Sequence, residues 1–226
     1  MLEVDVHDSV RAPRPVPAPR LRTGFLPLTS RYTGWLVRGI PWRFRLGPLE
    51  LITFSEPEET ATGVRWPITG GLLTATPGGW VGLEWAGGEL RGYLAGWAPR
   101  LPMPLYRVTQ LLVHHAVMRL TLLQLRGRDP LPGERAGQRS RVLAAGIDLA
   151  LCAAAASLAR RRRWTALAGV YAGYHVAAWA RAGRTPGGAL FGTRLVAVDG
   201  SRVTLPQAVV RLVAGDAAAG TAVIRE

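Results

Sequence analysis

Two apolar runs, Val142 to Ala159 and Trp164 to Ala180, flank Arg160-Arg161-Arg162-Arg163. As helices each would extend roughly 26 Å, the short end of what crosses a bilayer core. So short an all-arginine link predicts a tight antiparallel helical hairpin with its turn in water. Upstream the texture is that of an α+β domain. Thr29 to Gly39 reads as a short helix ended by Gly39 and Pro41. Strand patterns follow over Leu49 to Ser55, Gly63 to Ile68, Leu72 to Thr76, Trp80 to Trp85 and Leu90 to Trp97, punctuated by Gly70-Gly71, Gly78-Gly79 and Gly87-Gly88. Regular glycine pairs between short apolar runs predict an antiparallel meander.

Leu105 to Arg126 then reads as one long amphipathic helix. Arg107, Gln110, His114, Thr121 and Gln124 fall on one side, and Leu105, Val108, Leu112, Ala116, Leu120 and Leu123 on the other. An antiparallel sheet closed by such a helix is one way to build a hydrophobic cup. His115, Arg119, Trp66 and Trp85 are the residues expected to line a ligand cavity there. His115 and Arg119 have the alternative of snorkelling or bonding to backbone. The fold expected is therefore an α+β N-terminal domain plus a C-terminal α-helical transmembrane hairpin. The chain divides into a disordered Pro/Arg-rich arm (1–23), the α+β domain (24–127), a Pro/Gly-rich linker (128–140), a membrane domain (141–214) and a flexible tail (215–226).

Charge narrows the partners. The 226 residues carry 28 arginines, no lysine and a net charge of +13, which brings nucleic acid and anionic membrane into view. The arginines are not interleaved with aromatics and no nucleic-acid-binding signature is present, whereas many flank the apolar runs. The partners expected are a lipid bilayer, an apolar small molecule or lipid, and a homo-oligomer or membrane-protein partner; nucleic acid is not expected. Arginines on the outer flanks (Arg126, Arg128, Arg135, Arg139, Arg141, Arg181, Arg184 and Arg194) outnumber those in the hairpin turn. The positive-inside rule then predicts a multi-pass protein of the cell membrane with both termini in the cytoplasm. The lone Cys152, inside the first apolar run, rules out an internal disulfide and reads as a small buried hydrophobe.

No nucleophile elbow, Gly-rich phosphate loop or His-x-x-x-His pair is present, and adjacent His114 and His115 point to different faces of a helix. No catalytic residue, metal or cofactor is expected. Asp148 within the first apolar helix is costly unless paired or functional. It reads as an acceptor for an arginine of the neighbouring helix, as a proton or ion relay, or as an oligomer contact. Tyr171 and His175, at i and i+4, share a face that could complete a polar track.

Arg141-Val-Leu-Ala-Ala-Gly-Ile-Asp148 resembles the opening of the RDD family of membrane proteins. Gly183-Arg-Thr-Pro-Gly-Gly-Ala-Leu-Phe-Gly-Thr-Arg-Leu-Val-Ala-Val-Asp-Gly200 is similar to that family's second signature, and Arg211 to its closing arginine. Gly188 stands where that loop has a basic residue. The resemblance, over about residues 138 to 214, implies a membrane domain in which Arg141, Asp148, His175, Thr185, Asp199 and Arg211 are the polar residues to watch. Together with the cup it implies a non-enzymatic RDD-type membrane protein with a ligand-binding cytoplasmic domain; the alternative is a subunit of a small-solute or ion transporter using Asp148 and Arg141. The N-terminal half resembles START-like, polyketide-cyclase-type lipid-binding cups in outline.

Overall fold

The computed structural model describes residues 3–159 and 163–226. The chain divides into two compact units, Met1–Gly127 and Arg128–Glu226. In the first, β1 (Val4–Arg11) and α1 (Ala18–Tyr32) precede β2 (Val37–Ile40), β3 (Arg43–Leu46), β4 (Leu49–Phe54), β5 (Glu58–Glu59), β6 (Gly63–Gly70), β7 (Thr74–Thr76), β8 (Trp80–Ala86) and β9 (Glu89–Pro99). Two helices close the unit, α2 (Met103–Val108) and α3 (Gln110–Arg126). The antiparallel sheet runs β1-β9-β8-β6-β4-β3-β2, with β5 added to β6 and β7 to β9.

Alternation decides which face the sheet buries. Along β1, Val6 and Val10 are buried while His7 and Ser9 are exposed. Across β8 and β9, Leu83, Leu90 and Leu94 point the same way as Trp66 of β6. Register shifts in the β1/β9, β3/β4, β4/β6 and β7/β9 pairs bend the sheet around α1 and α3. Helix α1 inserts Leu21 and Phe25 into this concavity, and Phe25 lies 4.8 Å from the Trp66 ring, centroid to centroid. Helix α3 buries Met118, Leu122 and Leu123.

Several expected boundaries shift. The segment read as a disordered arm supplies β1, held by its ladder to β9, and the start of α1. The helix expected at Thr29 to Gly39 lies earlier, at Ala18–Tyr32, because Pro19 sits harmlessly in its first turn. The single helix expected from Leu105 breaks at Thr109, whose φ of −120° and ψ of −78° are not helical.

The second unit comprises α4 (Gln138–Ala156), α5 (Arg163–Ala182), α6 (Pro186–Leu190), β10 (Thr193–Ala197), α7 (Leu205–Ala219) and β11 (Thr221–Arg225). Helix α4 packs on α5 and α6, and α5 packs on α7. Leu195, Val203 and Ala208 form a small core with Val176, Trp179 and Val223 against it. Thr204 and Gln207 make a capping box at the start of α7. Residues 215–226, expected to be a flexible tail, instead end α7 and form β11, which pairs residue for residue with β10. Gly220 adopts left-handed φ 59°, ψ 41° and turns the chain directly from helix into strand.

Among the described residues no helix is long and apolar enough to cross a membrane. This overturns the transmembrane hairpin and the multi-pass cell-membrane placement, and with them the integral-membrane and transporter readings. The physical reason lies in composition along the helices. Helix α4 opens with Gln138-Arg139-Ser140-Arg141 and carries Asp148, so its uncharged stretches are shorter than the ~20 residues a bilayer core needs. In α5 the Tyr, His, Trp, Thr and Gly residues dilute the alanines. Arg160, Arg161 and Arg162 of the expected hairpin turn lie outside the described residues.

Candidate functional site

A cavity of about 180 Å³ lies between α1, α3 and the inner face of the sheet. Phe25, Phe44, Phe54, Leu94, Val117 and Met118 are among the apolar side chains that make its wall. Four polar residues interrupt them: Thr29 and Thr33, whose hydroxyls donate to carbonyl oxygens of their own helix, and Gln110 and His114, one turn apart on α3 and therefore on one face. The His114 Nε2 and Gln110 Oε1 atoms are buried with no hydrogen-bond partner in the protein. Burial holds the His114 pKa down to about 4 against an ordinary 6.5; nearby Asp8 opposes that shift and His115 adds to it. His114 is therefore a neutral imidazole at pH 7, the only ionisable side chain on this wall. Beside the cavity, the Trp97 indole N–H is satisfied by Thr74 Oγ1 at 3.0 Å.

None of the residues expected to line the cup does so. His115 turns to the sheet, its Nδ1 at 2.9 and 3.0 Å from the two Asp8 oxygens. Arg119 is absent from the wall. Trp66 is fully buried core, stacked on Phe25. The Trp85 indole N–H donates to the Ala12 carbonyl oxygen at 2.7 Å and pins the chain leaving β1. The helical wheel put His114 on the polar side and so pointed away from the residue that matters. The bend at Thr109 and the concavity of the sheet turn that side inward, and no spacing in the sequence encodes that.

In the second unit the structure draws most of the expected polar residues around one cavity of about 650 Å³, whose wall includes Arg141, Asp148, His175, Thr185 and Arg211. Asp148 is 3% exposed. It accepts from the Tyr174 hydroxyl at 2.7 Å, the Thr185 hydroxyl at 2.6 Å and the Gly187 N–H at 2.9 Å. The expected reading of Asp148 as an arginine's partner therefore gives way to a carboxylate saturated by neutral donors that tie α4 to α5 and α6. Glycine at 187 is required for this, since a Cβ there would strike the Ala144 carbonyl oxygen of α4. Burial, followed by the hydrogen bond to Asp148, pushes the Tyr174 phenol well above its usual range.

Arg141 pairs with Asp216 of α7 at 3.4 Å rather than with Asp148. Arg211 faces the same Asp216 carboxylate. The His175 Nδ1 donates to the Tyr171 carbonyl oxygen at 2.9 Å, which places the ring proton on Nδ1 because a carbonyl can only accept. His175 Nε2 stands 4.0 Å from Asp148. Asp199 lies apart from this cavity and caps a turn, accepting from the Ser201 N–H and hydroxyl. The residues the sequence did not single out are Asp216, Trp179 and Tyr174; Trp179 completes the i, i+4, i+8 face of Tyr171 and His175, which was a readable signal. Comparison with protein-family models, with curated proteins and with solved structures returns no match.

Proposed function

We propose that the N-terminal unit is a binding module for a small, mostly apolar molecule that carries one hydroxyl. The observation that carries this is the pair of buried, unpartnered polar atoms, His114 Nε2 and Gln110 Oε1, on a mostly apolar wall whose two threonine hydroxyls are already bonded within α1. A buried polar group without a partner costs ~1–3 kcal/mol, so two together need an occupant that satisfies them. A hydroxyl meets both at once. It donates its one proton to the amide oxygen and accepts from the imidazole Nε2–H, which selects the His114 tautomer protonated on Nε2.

Volume sets the size of the ligand. At about 180 Å³ the cavity resembles the ~150 Å³ apolar cavities that take up benzene, and it falls short of the ~300–1,000 Å³ sites of drug-sized ligands. This favours a single substituted ring or a short branched alkyl alcohol over a two-chain lipid. Apolar sequence neighbours of wall residues are exposed: Trp35 and Leu36 between Thr33 and Val37, Leu72 beside Leu73, and Leu112 beside Val113.

Calorimetry of the full chain with p-cresol and p-xylene tests this, since the two differ only by a hydroxyl in place of a methyl. Saturable p-cresol binding, about tenfold tighter than p-xylene, is expected. Gln110→Leu and His114→Leu each narrow that preference, and Met118→Trp blocks both ligands. Absence of binding, or an unchanged preference in both leucine variants, overturns the proposal.

A further inference from the structure

The cavity of the second unit holds more positive charge than it balances. Arg141 and Arg211 share one carboxylate, Asp216, which also accepts from the Thr221 hydroxyl at 2.9 Å. Asp148, the other acid on the wall, is turned to Tyr174, Thr185 and Gly187 and offers neither arginine a partner. Arg184 on the same wall is occupied by Glu226 at 2.7 Å. The Arg211 side chain is only 15% exposed, and its Nε is buried with no hydrogen-bond partner. Nearby, Arg128 has a buried Nη1 in the same condition.

The cost of this arrangement falls on Arg211. Burial first, then Arg141 and Arg128, hold its pKa down to about 10, with Tyr171 opposing them. A guanidinium held that far below its ordinary range is a site where an added negative charge is strongly favourable. Beside it stands an apolar platform. Tyr171, His175 and Trp179 follow one another along one face of α5, with ring centroids 4.0 Å apart and tilted for the first pair, 4.9 Å apart and edge-on for the second. The Trp179 ring lies 4.5 Å from the Arg211 guanidinium carbon.

We infer that this cavity binds an oxyanion, a carboxylate or phosphate group borne on a small planar body, with Arg211 as its anchor, Arg141 as its second contact and the Tyr171–His175–Trp179 ladder as the platform for the body. Its volume of about 650 Å³ lies within the range of small-molecule sites. Arginine suits the role because its planar fork matches the two oxygens of a carboxylate or phosphate. Asp216 bridges the two guanidinium groups, neutralises only one of their two charges and competes with the ligand for them.

Titration of the full chain with benzoate and with inorganic phosphate, against sodium chloride at matched ionic strength, tests the inference and separates a carboxylate from a phosphate preference. Saturable binding of at least one anion is expected. Arg211→Gln weakens it by about tenfold or more, the scale of a lost charge-assisted hydrogen bond. Asp216→Asn, which removes the competing carboxylate, tightens it. If Arg211→Gln fails to fold by circular dichroism, Arg141→Gln carries the test, because that side chain is half-exposed and its loss leaves the Arg211–Asp216 pair in place. No saturable binding of either anion, an equal effect of chloride, or an affinity untouched by the arginine variants refutes the inference.

Discussion

One imidazole, His114, should make a separable contribution to the acid destabilisation of the N-terminal unit. Its folded pKa lies near 4, while an unfolded chain titrates it near 6.5. Below pH 6.5 the unfolded chain takes up a proton that the folded cup refuses, so the unfolded state binds more protons and stability falls as pH falls. The contribution is intact above about pH 6.5 and has drained away once the pH reaches about 4. Linkage over that window amounts to about 2 kcal/mol between pH 7 and pH 4.5, with a slope near ~1.4 kcal/mol per pH unit in the middle. Carboxylates titrate in the same range, so the informative quantity is a difference between two proteins. Urea unfolding followed by tryptophan fluorescence suits it, because Trp35, Trp42, Trp66, Trp80, Trp85 and Trp97 all lie in this unit. Wild type should lose about 2 kcal/mol more than His114→Gln on going from pH 7 to pH 4.5. Parallel stability curves for the two proteins would show that the imidazole is hydrated in the fold, and the desolvated wall on which the binding proposal rests would be gone.

Two further outcomes test the second unit. Asp148→Ala strands the Tyr174 and Thr185 hydroxyls and the Gly187 N–H, and should destabilise that unit by about 3–5 kcal/mol in denaturant unfolding; a change below ~1 kcal/mol would mean those donors find other partners. Ending the chain after Gly220 removes β11 and leaves β10 without its ladder, so amides of Thr193–Ala197 should lose hydrogen-exchange protection; unchanged protection there would refute the pairing as what stabilises the strand.

The glycine pairs and the alternation in Trp80-Val-Gly-Leu-Glu-Trp85 were enough to mark β6, β8 and β9, because strand pairing there follows local period and turn chemistry. Arg141, Asp148, Thr185 and Arg211, singled out by the family resemblance, meet around one cavity, although the resemblance did not reveal their partners. Asp148 finds neutral donors and Arg141 finds Asp216, a residue distant in sequence whose approach depends on how α7 lies along α5. Hydropathy misled at the two alanine-rich helices. Alanine is compatible with lipid and with helix packing alike, and the charges and polar aromatics spaced through α4 and α5 remove any continuous membrane-length apolar span. Local pattern thus determined the sheet, the run of helices and which polar residues were unusual. Which face of α3 turned inward, and so made His114 rather than His115 the wall of the cup, was decided by the bend at Thr109 and the curvature of the sheet. Both are products of packing between distant segments, which residue spacing along a single helix cannot encode.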